Sequence, residues 1–197
     1  MHIIFYGPEG SGKGTQAKLL SNKLKLPILS SGDLIRNSAE KDKGFIGEAC
    51  KAALTKGKYV ANSEVFVLWK RRLKEDDAKG DWIMDGFPRN INQAKFLAKK
   101  IDKYGYKIDK VLYLNLSERE SYSRLIKRGR PLHPGSKNIH DSPERIKGRL
   151  EVYKESEKEV LAYYKSKGVL IEINADQTIE SVQAEINKHF KNRDKQT

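Results

Sequence analysis

Gly7-Pro8-Glu9-Gly10-Ser11-Gly12-Lys13-Gly14-Thr15 is the stretch on which the reading of this chain turns. The apolar run Ile3-Ile4-Phe5-Tyr6 precedes it, and a segment whose Ala17, Leu20 and Leu24 share one helical face follows it. The order is strand, glycine-rich loop, helix. Glycines let backbone N–H groups approach an anion closely, and the helix N-terminus adds partial positive charge. Lys13 has the reach for terminal phosphates. The general phosphate-loop pattern puts Ser or Thr directly after the lysine. Here Gly14 intervenes, and Thr15 supplies the hydroxyl that can serve Mg²⁺. A ligand-free turn would not need this order of elements, so the loop implies a nucleoside triphosphate ligand.

Working outward, four more short apolar runs read as strands: Pro27-Ile28-Leu29-Ser30, Trp82-Ile83-Met84, Val111-Leu112-Tyr113-Leu114 and Val169-Leu170-Ile171-Glu172-Ile173. Segments of helical spacing separate them, including a long one near residues 63–75. Near-continuous apolar strands alternating with helices predict a parallel α/β sheet. A C-terminal helix follows, with Ile179, Val182, Ile186 and Phe190 along one face, and the polar residues 191–197 are expected to fray. Residues 31–60 look inserted, as do residues 129–142, which have loop composition. That second loop lies between charged helices and reads either as a mobile lid or as an ordinary surface loop. There is no internal repeat.

At 197 residues the chain is long enough for one main domain with a proper core. With 33% charged residues and no apolar stretch near the roughly 18 residues of a spanning helix, no membrane association is expected. The N-terminal apolar run is too short for a signal peptide, so a cytoplasmic location is expected. Cys50 is the only cysteine, which excludes an intrachain disulfide and a cysteine-based zinc site and leaves it a packing role. The net charge of +13 comes from lysines spread along the whole chain, without an aromatic-interleaved patch or an arginine-rich tail. A solvated surface is therefore preferred to a nucleic-acid partner, although the excess favours polyanionic small molecules.

Three further constellations suit phosphate chemistry. Ser30-Ser31-Gly32-Asp33-Leu34-Ile35-Arg36 puts a hydroxyl, a carboxylate and a guanidinium at a strand's carboxyl end, where open α/β sheets bind ligands. Ser31 or Asp33 capping a helix is an equally good account of that stretch. Asp85-Gly86-Phe87-Pro88-Arg89 closes the third strand, with a carboxylate suited to Mg²⁺, often through water, and an arginine suited to a phosphate. Arg124 and Arg128 share a helical face, as do Arg145 and Arg149, while Ser117 and Glu120 form a capping box. His2, His133, His140 and His189 show no spacing for metal ligation or nucleophile activation. His133 and His140 are read as surface residues unless a closing lid brings them to phosphates.

Taken together, Gly7-Pro8-x-Gly10-Ser11-Gly12-Lys13-Gly14-Thr15-Gln16-Ala17, Ser31-Gly32-Asp33-Leu34-x-Arg36, Asp85-Gly86-Phe87-Pro88-Arg89, Arg124-Leu125-x-x-Arg128 and Arg149-Leu150-x-x-Tyr153 resemble the adenylate kinase family of nucleoside monophosphate kinases. The resemblance spans almost the whole chain. It implies a single P-loop kinase domain over 1–197, a three-layer α/β fold on a five-stranded parallel sheet, with an AMP-binding insertion at 31–60 and a short lid at 124–149. It implies reversible transfer between ATP and AMP giving two ADP, with Mg²⁺ and without zinc, by a monomer.

By position, Gly10, Ser11, Gly12, Lys13, Gly14, Thr15, Arg124, Arg128 and Gln177 would hold ATP. Ser31, Arg36, Lys58, Tyr59, Val60, Gly86, Phe87, Pro88, Arg89, Gln93, Asn138 and Arg149 would hold AMP. Lys13, Arg89, Arg128 and Arg149 would be catalytic, with Thr15 and Asp85 serving Mg²⁺. Gln93 stands where the family separates adenine acceptors (Gln) from pyrimidine acceptors (commonly Asn), and its amide matches the adenine edge. Asn90 and Asn92 lie close by, so a UMP or CMP acceptor stays open. One departure stands out. The family's Arg-x-Asp-Asp lid element falls on Asn138-Ile139-His140-Asp141, so an arginine is lost, and Asn does not replace its charge or fork geometry. Either Lys137 or Arg130 restores the charge, or the enzyme is slower; a nucleotide-binding protein with impaired catalysis is the remaining alternative.

Overall fold

The computed structural model describes residues 1–132 and 139–190. The elements run β1 (His2–Tyr6), α1 (Lys13–Leu24), β2 (Ile28–Ser30), α2 (Ser31–Lys41), α3 (Phe45–Lys56), α4 (Asn62–Arg72) and a 3₁₀ turn at Asp76–Ala78. They continue with β3 (Trp82–Asp85), α5 (Ile91–Asp102), β4 (Lys110–Asn115), α6 (Glu118–Arg128), α7 (Pro143–Ser166), β5 (Leu170–Asn174) and α8 (Ile179–Lys188). The five strands form one sheet in the order β2-β3-β1-β4-β5. Every pairing is parallel, with Ile4 opposite Met84 on one side and Val111 on the other.

The alternation along the strands explains why helices cover both faces. Ile3 and Phe5 of β1 point one way, with Ile83, Leu112 and Leu114, and meet Ala17 and Leu20 of α1 and Val182 and Ile186 of α8. Ile4 and Tyr6 point the other way, with Met84, Val111 and Tyr113, and meet a larger cluster from α4, α5 and α7 that includes Trp69, Leu97 and Val160. Two buried faces require apolar residues at consecutive positions, which is why β1 is buried along its whole length. Cys50 of α3 is fully buried in the larger cluster, as a packing role requires.

β1 has β3 on one side and β4 on the other, so the direction of winding reverses beside it. In open α/β sheets this switch point opens a crevice at the carboxyl ends of the strands. Tyr6, Ser30, Asp85 and Asn115 all end there.

Local details differ from the sequence reading at two places. Ser30, rather than Ser31 or Asp33, caps α2, its hydroxyl accepting the Asp33 N–H at 3.2 Å, while Ser31 is buried in the first turn. On α8, Val182, Ile186 and Phe190 are buried, but Ile179, the first residue of the helix, is 52% exposed. The expected fraying of 191–197 lies outside the described residues. Ser117 caps α6 as expected, accepting the Glu120 N–H at 3.2 Å.

Candidate active site

The floor of the crevice is the loop between β1 and α1. Gly7 has φ +140°, and a Cβ there would stand 2.5 Å from the Leu114 carbonyl oxygen. Gly10 has φ +87°, and a Cβ would stand 2.9 Å from the Ser121 oxygen of α6. Glycine is thus required by backbone conformation and by close packing on β4 and α6. Gly12 caps α1 with no side-chain bond, leaving first-turn N–H groups for a ligand. Lys13 folds back over the loop, its Nζ donating to Gly7 O at 2.8 Å and Pro8 O at 2.7 Å. Burial pulls its pKa below the usual lysine value against the pull of Asp85 and Glu9.

Asp85 ends β3 against the start of α1, where a Cβ on Gly14 would meet its Oδ2 at 3.4 Å. Burial pushes its carboxyl pKa up, with Lys13 and Arg89 opposing. Arg89 donates from Nε to Gly86 O at 3.1 Å and lays its guanidinium over the Tyr59 ring, 4.1 Å from the centroid. Gln93 is buried in the first turn of α5. Its Oε1 accepts the Arg89 N–H at 2.8 Å and its Nε2 donates to Asn62 Oδ1 at 2.9 Å, so the amide is held in one orientation. Arg36 is paired with Asp33 at 2.6 Å on the more exposed rim.

The opposite wall is a buried charge network centred on Asp141. Its side chain is fully buried. It accepts both arms of Arg128, at 2.7 and 2.9 Å, Arg149 Nη2 at 3.0 Å and the Arg130 N–H at 3.1 Å. Burial raises the Asp141 pKa, but the bidentate Arg128 and the other donors outweigh it and hold the carboxyl below its usual range. Arg149 reaches further, donating from Nη1 to His140 O at 2.8 Å and from Nε to Glu9 Oε2 at 2.7 Å. Arg124 pairs with Glu120 of its own helix at 2.7 Å and ties α6 to the turn after β5 through the Ala175 carbonyl at 3.0 Å. Arg145 links this wall to α3, donating to Thr55 O at 2.6 Å.

Between the walls lies a cleft of about 500 Å³ lined by the phosphate loop, Asp85, Arg36, Arg89, Arg128 and Arg149. A neighbouring cavity of about 290 Å³ shares Glu9, Lys13, Tyr59 and Arg89 with it and is closed by Asn62, Gln93 and Tyr153. Lys58, Tyr59, Val60, Gly86 and Arg124 also reach the cleft, and Pro88 reaches the smaller cavity. Phe87 is placed differently. Its ring stacks on Trp69 at 4.6 Å in the core, and it lines neither cavity. Gln177 lines neither cavity, and its side chain donates to Asn174 O at 3.0 Å. Asn138, Lys137 and His133 lie outside the described residues.

His140 is not a surface residue. It is half-buried and lines the cleft, where burial first, then Arg149 and Arg130, push its pKa down to about 4. It is therefore neutral near pH 7. Three residues central to the geometry were missed: Asp141 as the hub, Asn62 as the partner of Gln93, and Glu9. The one available signal for Glu9 was an acid inside a loop built for anions.

The family model described as "Adenylate kinase" matches residues 5–169. The chain is 36% identical over 184 residues to "Adenylate kinase 1" of Nostoc sp., covering 93% of this chain and 95% of that protein. It is 36% identical over 182 residues to "Adenylate kinase" of Thermobifida fusca, covering 92% and 94%. A protein of the same name from Methanocella arvoryzae is 34% identical over 209 aligned positions, with 94% and 96% covered.

Proposed function

The chain belongs to the adenylate kinase family, and from that premise we propose how its residues carry reversible phosphoryl transfer between ATP and AMP. The observation that carries the reading is the convergence of the phosphate loop, Asp85 and the guanidinium groups of Arg36, Arg89, Arg128 and Arg149 on one cleft. ATP phosphates would lie on the loop from Gly10 to Thr15, with Arg124 and Arg128 over them. AMP would lie in the smaller cavity, its base against Gln93 and its phosphate between Arg36, Arg89 and Arg149. The helical pair 31–60 would form the wall for AMP, and 124–149 the lid.

The AMP phosphate oxygen is itself the nucleophile, so the chemistry needs no covalent intermediate and no strong base. The chain's residues align the two phosphates and neutralise the charge that spreads over the transferred group. Lys13 must leave the Gly7 and Pro8 carbonyls to do so.

Magnesium fits the donor set: Thr15 offers an exposed hydroxyl and Asp85 a carboxylate, both oxygen ligands of the kind a hard cation takes. Among the described residues no group of three or more His, Cys, Asp or Glu could hold a metal. Thr15 and Asp85 would hold the cation beside the triphosphate, where it would offset phosphate charge. Among the described residues no helix is long and apolar enough to cross a membrane. A cytoplasmic location and a monomeric state rest on the family alone.

Holding Gln93 by Asn62 and the Arg89 N–H favours AMP over UMP or CMP, because one fixed amide presents one hydrogen-bonding edge. A coupled assay of ADP formation from MgATP with AMP, UMP, CMP and GMP tests this. AMP-selective turnover that Lys13→Ala abolishes is the expected result. A pyrimidine preference would overturn the reading of Gln93, and ATP binding without turnover would restore the binding-protein alternative.

A further inference from the structure

A site that attracts polyanions holds a half-buried anion of its own. Glu9 sits in the phosphate loop between Pro8 and Gly10 and lines both cavities. Its Oε2 accepts from Arg149 Nε at 2.7 Å, and its Oε1 accepts from the Tyr59 hydroxyl at 3.1 Å. Arg149 is only 3% exposed. Its other recorded partners are the His140 carbonyl and Asp141. The first is backbone, and the second is pinned by both arms of Arg128. Of the two carboxylates around Arg149, Glu9 alone lines the open cleft.

We propose that Glu9 is a resident counter-anion that occupies the phosphate position beside Arg149 and is displaced when a nucleotide phosphate takes that position. The proposal rests on the reading of this cleft as the nucleotide site. A carboxylate and a phosphate cannot share one guanidinium cheaply in a partly buried cleft, because their mutual repulsion is weakly screened there. With the site empty, Glu9 offsets the repulsion among Arg149, Arg89 and Lys13, all of which act on it electrostatically. With a phosphate present, the same charge becomes a competitor.

Glu9 therefore weakens nucleotide binding and speeds release. It also joins the two sides of the cleft. Tyr59, which carries Arg89 on its ring, gives up a hydrogen bond when Glu9 leaves.

The test is calorimetric titration of AMP, ADP and adenosine into the full chain and into Glu9→Gln, Glu9→Asp and Tyr59→Phe. Adenosine has no phosphate and isolates the base and sugar. Glu9→Gln should tighten AMP and ADP about tenfold, the scale of removing one like charge at a partly screened site, and leave adenosine unchanged. The KM for AMP should fall without a matching rise in kcat, because product leaves more slowly. Glu9→Asp keeps the charge and should stay near the parent. Tyr59→Phe loosens Glu9 without altering charge and should tighten AMP by a smaller factor, which keeps the idea testable if Glu9→Gln folds poorly.

AMP affinity that is unchanged or weaker in both Glu9→Gln and Tyr59→Phe would make Glu9 a scaffold for Arg149 and overturn the proposal. So would a gain shared equally by adenosine. If the parent chain does not bind AMP, the acceptor reading fails, and ADP against Glu9→Gln still decides the role of Glu9.

Discussion

The two walls of the cleft are assembled by different means. On the floor, the cations rest on carbonyls of their own motif: Lys13 on Gly7 and Pro8, Arg89 on Gly86. On the opposite wall, Arg128 and Arg149 rest on carboxylates, and Asp141 serves both. A carbonyl can release a lysine to a phosphate without leaving a charge unpaired. A buried carboxylate cannot release its arginines without leaving itself uncompensated. The floor can therefore give up its internal bonds when a phosphate arrives, and the cleft-lining Glu9 can be exchanged for that phosphate, whereas the buried Asp141 with Arg128 and Arg149 holds only as a unit.

Substitutions on the two sides should separate accordingly. Lys13→Ala should lower kcat by about a thousandfold or more, on the scale of losing a positioned transition-state cation. Because a salt bridge is not lost, urea unfolding of the same variant should stay within about 1 kcal/mol of the parent. A large loss of stability would break the contrast. Asp141→Ala should cost about 3 kcal/mol or more in urea unfolding, since it strands the buried Arg149 and frees the fork of Arg128. Activity should fall with it, and a stable, active Asp141→Ala would show that the lid wall does not depend on its hub.

Arg130 sharpens the question of the lost lid arginine. It lines the cleft, where burial and the nearby Arg128 and Arg36 lower its pKa. Arg130→Ala should reduce kcat about tenfold with little change in Tm, less than a full transition-state arginine is worth. Unchanged turnover would show that Arg130 does not supply the missing charge.

The smallest effect expected is on the pH dependence of Tm. His140 is held neutral in the fold, with a pKa of about 4 against an ordinary 6.5. The unfolded chain takes up that proton first, so the stability tied to the neutral ring is complete above about pH 6.5. It is lost as pH falls from there toward 4. Replacing His140 with Gln should flatten Tm between those values, and an unaltered slope would assign the acid sensitivity to other groups.

The same division governs what could be read from sequence. The sheet was legible because each strand is a short apolar run, and α1 and α8 because their apolar spacing marks one face, whereas α2 and α3 were read only as an insertion. The phosphate loop and Asp85-Gly86-Phe87-Pro88-Arg89 were legible because their chemistry is contiguous. The lid wall was not, because Arg149 meets Glu9 from 140 positions away and no local pattern announces that pair. Phe87 was grouped with the ligand residues by its place in a motif, yet its ring is drawn into the core by Trp69. His140 looked like surface because a polar residue in a loop gives no sign of the two arginines beside it. Ile179 failed in the opposite sense, since an apolar residue at a helix start has its spacing but no sheet beneath it.

Cys50, described above only as packing, provides a clock. It is the one thiol of the chain, it lies on α3, and burial raises its pKa, so a thiol reagent can reach it only when α3 lifts from its neighbours. The rate at which Cys50 is labelled therefore counts openings of α3 without any engineered probe. Saturating AMP should slow that count and adenosine should slow it less, which would time the motion of α3 by the cleft's grip on phosphate.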